Sequence, residues 1–295
     1  MSFRADNAVI MAAGISSRFA PLSYERPKAL INVRGEILIE RQIRQLREAG
    51  IDEIIVVVGY MKESFYYLKE KFGVHIVVNR DYNVRNNNSS IYAAREYIGN
   101  TYICSADNYF VKNPFELEVD DSYYAAVYAD GYTKEWCMET GEDGYVNHVQ
   151  IGGRNSWYML GHVFWNEDFS RKFLDILMSE YELPETAGLL WESIYIKHID
   201  ELKLKIRRYE SGFIFEFDSL DELRMFDPSY LNDTRSVILK HVAGKLCCGE
   251  SEITDISAIK EMDGEAVVGF KFSYANSKYE YLYNDMKLKK SHELL

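Results

Sequence analysis

Cysteine is scarce in this chain of 295 residues. The four present are Cys104, Cys137 and the adjacent Cys247-Cys248, with no CxxC spacing. Neighbouring cysteines rarely bridge each other, so neither a zinc site nor a disulfide framework is expected. Positive charge is also in short supply. Lys and Arg total 34 against 46 Asp and Glu, a formal net charge of -12. Nucleic-acid binding needs a basic surface, so that partner is excluded. Long apolar runs are missing as well. The first, Ala8-Val9-Ile10, is too short for a signal-peptide core or a membrane span, and a reduced, cytoplasmic protein without a membrane partner is expected. Repeats and low-complexity segments are absent.

What is present alternates. Ala8-Val9-Ile10 reads as a buried strand, Ile37–Gly50 as a helix with Ile39, Ile43 and Leu46 on one face, and Glu53–Val58 as a second buried strand. Lys62–Phe72 is a helix closed by Gly73, His75–Val78 a strand, Asn87–Tyr97 a helix and Tyr102–Ser105 a fourth strand. Strands alternating with helices imply a parallel sheet covered on both faces. Beyond Asn113 the pattern turns β-rich, with pieces at Tyr123–Ala129, Trp136–Glu139, Tyr145–Gln150 and Trp157–Trp165, then helices at Asp168–Tyr181 and Ala187–Ile199. A boundary is expected near Asp227–Tyr230, giving domains 1–229 and 230–295. The second holds a helix, Asp233–Cys247, and strands at Ile253–Lys260, Ala266–Ser273 and Lys278–Tyr283, the last two joined by a turn at Ala275-Asn276-Ser277.

The chemistry concentrates first in Met11–Lys28, MAAGISSRFAPLSYERPK. A loop leaving a strand through Ala13, Gly14, Ile15, Ser16 and Ser17 can aim backbone N–H groups at one point, an anion nest. Arg18 and Lys28 add two positive charges to an otherwise acidic protein. The loop has neither GxGxxG nor GxxxxGK[ST] spacing, and it suits a nucleoside triphosphate.

Ser105-Ala106-Asp107-Asn108 follows the fourth strand, at the sheet edge where ligands collect in open α/β folds. Asp107 is a candidate Mg²⁺ ligand there, and equally a turn cap. In Phe215-Glu216-Phe217-Asp218-Ser219, strand geometry puts Glu216 and Asp218 on one face, where like charges call for a cation or solvent between them. Asp218 also reads as a helix N-cap. Arg80–Ser90, RDYNVRNNNSS, packs three asparagines before two serines; Asn87, Asn88 and Ser90 suit a base edge or an ordinary helix entry. Gly59-Tyr60 is a second candidate for the base pocket. Trp136 follows Thr133-Lys134-Glu135 in a polar loop, and Trp191 stands beside Glu192. Aromatic faces near carboxylates bind quaternary ammonium groups.

The loop resembles the signature of the nucleotide-sugar pyrophosphorylase superfamily, GxGxR before a Pro-Lys pair, with Ser16 in place of the second glycine. The set MAAGISSRFAPLSYERPKALINV, IIVVVGYMKE, NNNSSIYAAREYI, CSADNYF, YTKEWC, LLWESIY and FEFDSLDEL, in order across residues 8–226, is similar to the bacterial LicC-type phosphocholine cytidylyltransferases. The resemblance implies a Rossmann-like mixed sheet of the nucleotidyltransferase type with helices on both faces, followed by a small α+β appendage. It implies condensation of CTP with phosphocholine, releasing pyrophosphate. Asp107, Asp218 and Glu216 would hold Mg²⁺, Arg18 and Lys28 would steady phosphates, and Asn87, Asn88 and Ser90 would surround the nucleotide. Trp136 and Trp191 would form the choline cage.

Phosphoethanolamine, 2-aminoethylphosphonate and a sugar 1-phosphate stand as rival acceptors, and a non-catalytic nucleotide sensor as a rival of another class. Val237–Tyr283 resembles the opening of the small lobe of choline-kinase-like phosphotransferases. It stops before any HxD motif, so it is read as a dimer or lid surface and not as a kinase.

Overall fold

The computed structural model describes residues 2–261 and 267–291. The chain divides into two compact units, Met1–Gly14 with Leu38–Glu216, and Ile15–Ile37 with Phe217–Leu295. The boundary expected at 229–230 falls inside the second unit, which also takes in the loop that carries Arg18 and Lys28.

The first unit is built on a seven-stranded mixed sheet. Its strands are β1 (Asn7–Ala12), β2 (Ile54–Val58), β3 (His75–Val78), β4 (Thr101–Ser105), β5 (Tyr123–Thr140), β6 (Val146–Trp165) and β7 (Lys205–Tyr209), in the spatial order β7-β5-β6-β4-β1-β2-β3. β1 runs parallel to β2 and β4, β2 to β3, and β5 to β7, while β6 is antiparallel to both β4 and β5. All of Ile54–Val58 is buried, which requires cover on both sheet faces because successive side chains point to opposite sides. Each such Val or Ile contributes about 1.5–3 kcal/mol on burial. On one face Val9, Ile55, Val57 and Ile103 pack with helices α3 (Asn88–Ala94), α4 (Glu167–Glu180) and α5 (Trp191–Lys197). Helix α1 (Leu38–Glu48) buries Leu38, Ile39, Ile43 and Leu46, the periodic stripe of the sequence. Helix α2 is Tyr67–Phe72, ended by Gly73 in the left-handed conformation at φ 59°.

Two expectations change. The four β pieces after Asn113 are two continuous strands, β5 and β6, of 18 and 20 residues, with register shifts along the pair. The expected helix Ala187–Ile199 is only Trp191–Lys197, preceded by a single turn, Pro184–Ala187.

On β6 sits His162, fully buried among Tyr102, Phe110, Phe115, Tyr123 and Tyr209, with its Nε2 2.9 Å from the Tyr123 hydroxyl. Burial, reinforced by the Arg207 charge, pushes its pKa from 6.5 down to about 3. The folded protein therefore keeps this ring neutral while the unfolded chain takes up a proton below pH 6.5. The stabilisation is complete above pH 6.5 and is lost as pH falls towards 3, by up to about 1.4 kcal/mol per pH unit. Denaturant unfolding at pH 7, 5 and 4 should show a shallower acid slope in His162→Gln than in the wild type; equal slopes would refute the assignment.

The second unit contains the single helical turn Leu22–Glu25, helix α6 (Leu220–Phe226), helix α7 (Val237–Leu246) and an antiparallel four-stranded sheet. Its strands are β8 (Thr254–Lys260), β9 (Val267–Tyr274), β10 (Ser277–Leu282) and β11 (Lys287–Lys290), in sequential order. The β9–β10 turn lies at Ala275-Asn276 as expected, both with positive φ (46° and 58°). The strand expected from Ala266 is described from Val267; Ala266 lies outside the described residues.

Candidate active site

β1 delivers Ala13 and Gly14 at its C-terminal end. The Ala13 carbonyl accepts a hydrogen bond from the Tyr60 amide at 3.0 Å. A Cβ on Gly59 would lie 2.6 Å from the Tyr82 ring and 2.9 Å from that carbonyl, so only glycine lets β2 end this close to β1. Gly59 and Tyr60 thus prop the backbone of the loop entry. A Cβ on Gly14 would meet nothing within 4 Å.

In the second unit Ser16 adopts the left-handed conformation, φ 52° and ψ 48°, and its carbonyl accepts from the Phe19 amide at 2.9 Å to close the Ser17–Phe19 turn. That conformation costs a non-glycine residue roughly 1–2 kcal/mol, which explains the glycine of the superfamily signature at this position. Arg18 donates to Asp218 Oδ2 at 2.6 Å, and Lys28 Nζ lies 4.0 Å from Asp218 Oδ1. Lys28 is 5% exposed, against 39% for Asp218 and 75% for Arg18. One carboxylate therefore gathers the two cations of the signature, 190 residues or more away along the chain. The buried amine and the exposed guanidinium are positioned differently: Lys28 is fixed, whereas Arg18 reaches into solvent.

The reading of Glu216 and Asp218 as neighbours on one strand face does not hold. The strand Ile214–Glu216 stops at Glu216, and Asp218 lies in a bend. Nor is Asp218 the helix cap. Ser219 caps α6, accepting from the Glu222 amide at 3.2 Å, while the Glu222 carboxylate takes the Ser219 and Asp218 amides at 3.3 and 2.6 Å. This Ser-x-x-Glu capping box leaves the Asp218 side chain to Arg18 and Lys28.

Asp107 occupies the two-residue turn between β4 and the strand Asn108–Phe110, which pairs antiparallel with Ile214–Glu216. The buried Gln42 of α1 holds this turn at both ends, its Nε2 donating to the Ser105 and Asn108 carbonyls at 2.8 and 2.9 Å. Asn108 Nδ2 reaches Glu216 Oε2 at 3.5 Å. Among the described residues no group of three or more His, Cys, Asp or Glu is close enough to hold a metal ion.

The asparagine triplet does a different task from the one its amide chemistry suggested. The Asn86 amide donates to Ala187 O and its side chain to Gly188 O, Asn88 donates to the Thr186 and Leu189 carbonyls, and Asn87 Oδ1 accepts from the Trp191 amide at 2.7 Å. Asn88 is fully buried, and Ser90, also buried, accepts from Asn79 at 3.2 Å. Asn88 and Ser90 thus present no edge to a ligand; the triplet clamps the segment that leads into α5.

Asn87 also donates to Glu192 Oε2 at 3.1 Å, and the Tyr124 hydroxyl donates to Glu192 Oε1 at 3.2 Å. Burial raises the carboxyl pKa of Glu192, opposed by these hydrogen bonds. Glu192 is a functional candidate that the sequence pattern around Trp191 does not mark. Trp191 itself is 1% exposed, stacked on Tyr124 at 5.7 Å and edge-on to Trp165 at 5.1 Å. It is a core side chain with no face for a ligand, which corrects its assignment to the choline cage. Trp136 is not in a polar loop but on β5, paired with Ile151. It lines an open pocket of about 250 Å³ together with Val149, Gln150 and Ile151 and with Ser193 and Ile196 of α5.

Residues 8–116 match the MobA-like NTP transferase domain. The choline-phosphate cytidylyltransferase of Streptococcus pneumoniae is 36% identical over 226 residues, 77% of this chain and 99% of that protein, so part of this chain extends beyond it. The 2-aminoethylphosphonate cytidylyltransferase of Lancefieldella rimae is also 36% identical, over 78% of this chain and 95% of that one. The solved structure of the streptococcal CTP:phosphocholine cytidylyltransferase LicC superposes with a TM-score of 0.73, covering 77% of this chain and 99% of its own. With the signature loop, the mixed sheet and the Asp107 turn in place, the chain belongs to the LicC-type cytidylyltransferase family of nucleotidyltransferases.

Proposed function

We propose that this chain transfers the cytidylyl group of CTP to phosphocholine, giving CDP-choline and pyrophosphate. The acceptor's phosphate oxygen attacks the α-phosphorus in line, and the bond to the pyrophosphate oxygen breaks. The acceptor is already ionised at pH 7, so no protein nucleophile is required, and the barrier is the repulsion of two anions. Lys28 bridges donor and acceptor phosphates. The amides from Gly14 to Arg18 hold the leaving pyrophosphate, and Arg18 trades its contact with Asp218 for phosphate when CTP enters. Nucleotidyltransferases of this kind work with a divalent cation; Asp107, Asp218 and Glu216 are the carboxylates offered for Mg²⁺, which when bound would neutralise the α-phosphate. Four free cysteines and a nucleoside triphosphate donor suit a reducing cytoplasm. Among the described residues no helix is long and apolar enough to cross a membrane.

The observation that carries the acceptor is the pocket of Trp136 walled by α5, the helix whose first turn carries Glu192. An aromatic face is worth ~0.5–2 kcal/mol to a quaternary ammonium. The hydrogen-bonded Glu192 carboxylate favours a second reading, a primary ammonium acceptor such as 2-aminoethylphosphonate. Pyrophosphate release should be measured with CTP or UTP against phosphocholine, phosphoethanolamine, 2-aminoethylphosphonate and a sugar 1-phosphate. CTP with phosphocholine should give the highest kcat/KM, and Trp136→Ala should raise the phosphocholine KM about tenfold with the CTP KM unchanged. A preference for 2-aminoethylphosphonate that survives Trp136→Ala transfers the assignment to the second reading.

A further inference from the structure

The second unit joins two stretches far apart in sequence, the signature loop 15–37 and the C-terminal segment 217–295, and their bonds are specific. Glu25, three residues before Lys28, caps the N-terminus of α7: Oε1 accepts from Ser236 Oγ at 3.0 Å and the Ile238 amide at 2.7 Å, and Oε2 from the Val237 amide at 3.2 Å. A carboxylate from another segment thereby satisfies amides that a helix N-terminus leaves open, in the orientation its dipole favours. Next to it, Tyr24 stacks on Tyr283 just past β10, ring centroids 3.8 Å apart at 18°. β8 packs against the Ser17–Phe19 turn that holds Arg18. Further along the loop, the Asn32 carbonyl accepts from Tyr230 Oη at 2.5 Å and Arg235 at 3.0 Å, and the Arg34 amide donates to Asp227 at 2.7 Å.

We infer that the C-terminal segment is a brace for the phosphate loop, and that Glu25 and the Tyr24–Tyr283 stack are positioning residues that fix the backbone between Arg18 and Lys28. The stretches that carry the resemblance to the cytidylyltransferases lie within residues 8–226, so the C-terminal half of the brace lies outside them. None of these side chains is offered as touching substrate. They act through the loop, and the phosphate-binding geometry depends on them.

The inference rests on the loop's proposed role in binding CTP, so the test reads CTP binding apart from turnover. CTP affinity by calorimetry and full kinetics should be compared for the wild type, Tyr283→Ala, Tyr283→Phe, Glu25→Ala and Val242→Ala. Tyr283→Ala and Glu25→Ala should each weaken CTP binding and raise its KM about tenfold. Tyr283→Phe, which keeps the ring, should restore wild-type values. Val242→Ala, a destabilising change in the buried face of α7 at a residue that takes no part in the Glu25 cap, should leave CTP binding at the wild-type value below the unfolding temperature. CTP constants within twofold of wild type in Tyr283→Ala, or a loss of equal size in Val242→Ala, overturn the brace. If Glu25→Ala does not fold, the Tyr283 pair decides alone. A wild type that binds CTP without releasing pyrophosphate overturns the proposed reaction and leaves the brace to be judged on affinity.

Discussion

Lys28→Ala is expected to lower turnover by roughly 10²–10³-fold, the range for losing one preorganised group that stabilises transition-state charge. The surroundings explain why one amine carries so much. Lys28 is 5% exposed, its Nζ lies 4.0 Å from Asp218, and the Phe19 ring sits 5.7 Å away on one side. A cation kept from water in a preformed position does not have to reorganise when negative charge builds on the reacting phosphates. Arg18 makes the shorter contact to Asp218 but is 75% exposed, so solvent already screens it. Arg18→Ala should mainly raise the CTP KM, with a smaller effect on kcat. Lys28→Arg should recover little, because a planar guanidinium cannot occupy the space of a compact ammonium. The measurement is single-turnover pyrophosphate release at saturating CTP and phosphocholine. A Lys28→Ala rate near that of the wild type removes Lys28 from the mechanism.

The parts of the fold legible in the sequence are those with an unmixed hydrophobic period. Ile39, Ile43 and Leu46 face the interior from α1, and Ile54–Val58 is buried along its whole length, because a helix stripe and a doubly covered strand each leave a pattern that nothing else imitates. β7, Lys-Ile-Arg-Arg-Tyr, went unrecognised because it is an edge strand at the end of the sheet, where charged side chains are favoured. The long β5–β6 pair reads as pieces because its middle, residues 128–136 and 147–156, is exposed or half-buried around Gly131 and Gly152-Gly153, while Cys137, Met138 and Val146 at its far end are buried.

The same limit misplaced Trp136, whose polar neighbours Thr133-Lys134-Glu135 lie on an exposed strand and not in a loop. At the site, the signature loop and the Asp107 turn could be read from glycine spacing and strand ends. The asparagine triplet could not, since an amide that grips a backbone carbonyl and one that reads a base look alike in sequence. Glu192 was hidden for a related reason: its bonds to Asn87 and Tyr124 are made across 105 and 68 residues, a proximity that only the fold creates.

Asp107→Asn should reduce turnover by roughly 10²–10³-fold and raise the Mg²⁺ concentration for half-maximal activity at least about tenfold. The substitution keeps shape and volume and removes only the charge. The turn should persist in the variant, because Gln42 holds it through the Ser105 and Asn108 carbonyls. An effect on activity would therefore come from lost charge and not from a collapsed turn, and an unchanged unfolding midpoint would establish that. Chelation should abolish wild-type activity and added Mg²⁺ restore it, since a phosphate approaching CTP without cationic compensation meets a repulsion that Lys28 and Arg18 alone do not cancel. Gln42→Leu supplies the contrast: it frees the turn but spares the carboxylate, so its kcat should fall less and its Mg²⁺ dependence should stay close to that of the wild type. Superimposable Mg²⁺ titrations for the wild type and Asp107→Asn would show that this carboxylate does not hold the ion, and the metal would then have to be sought at Glu216 or Asp218.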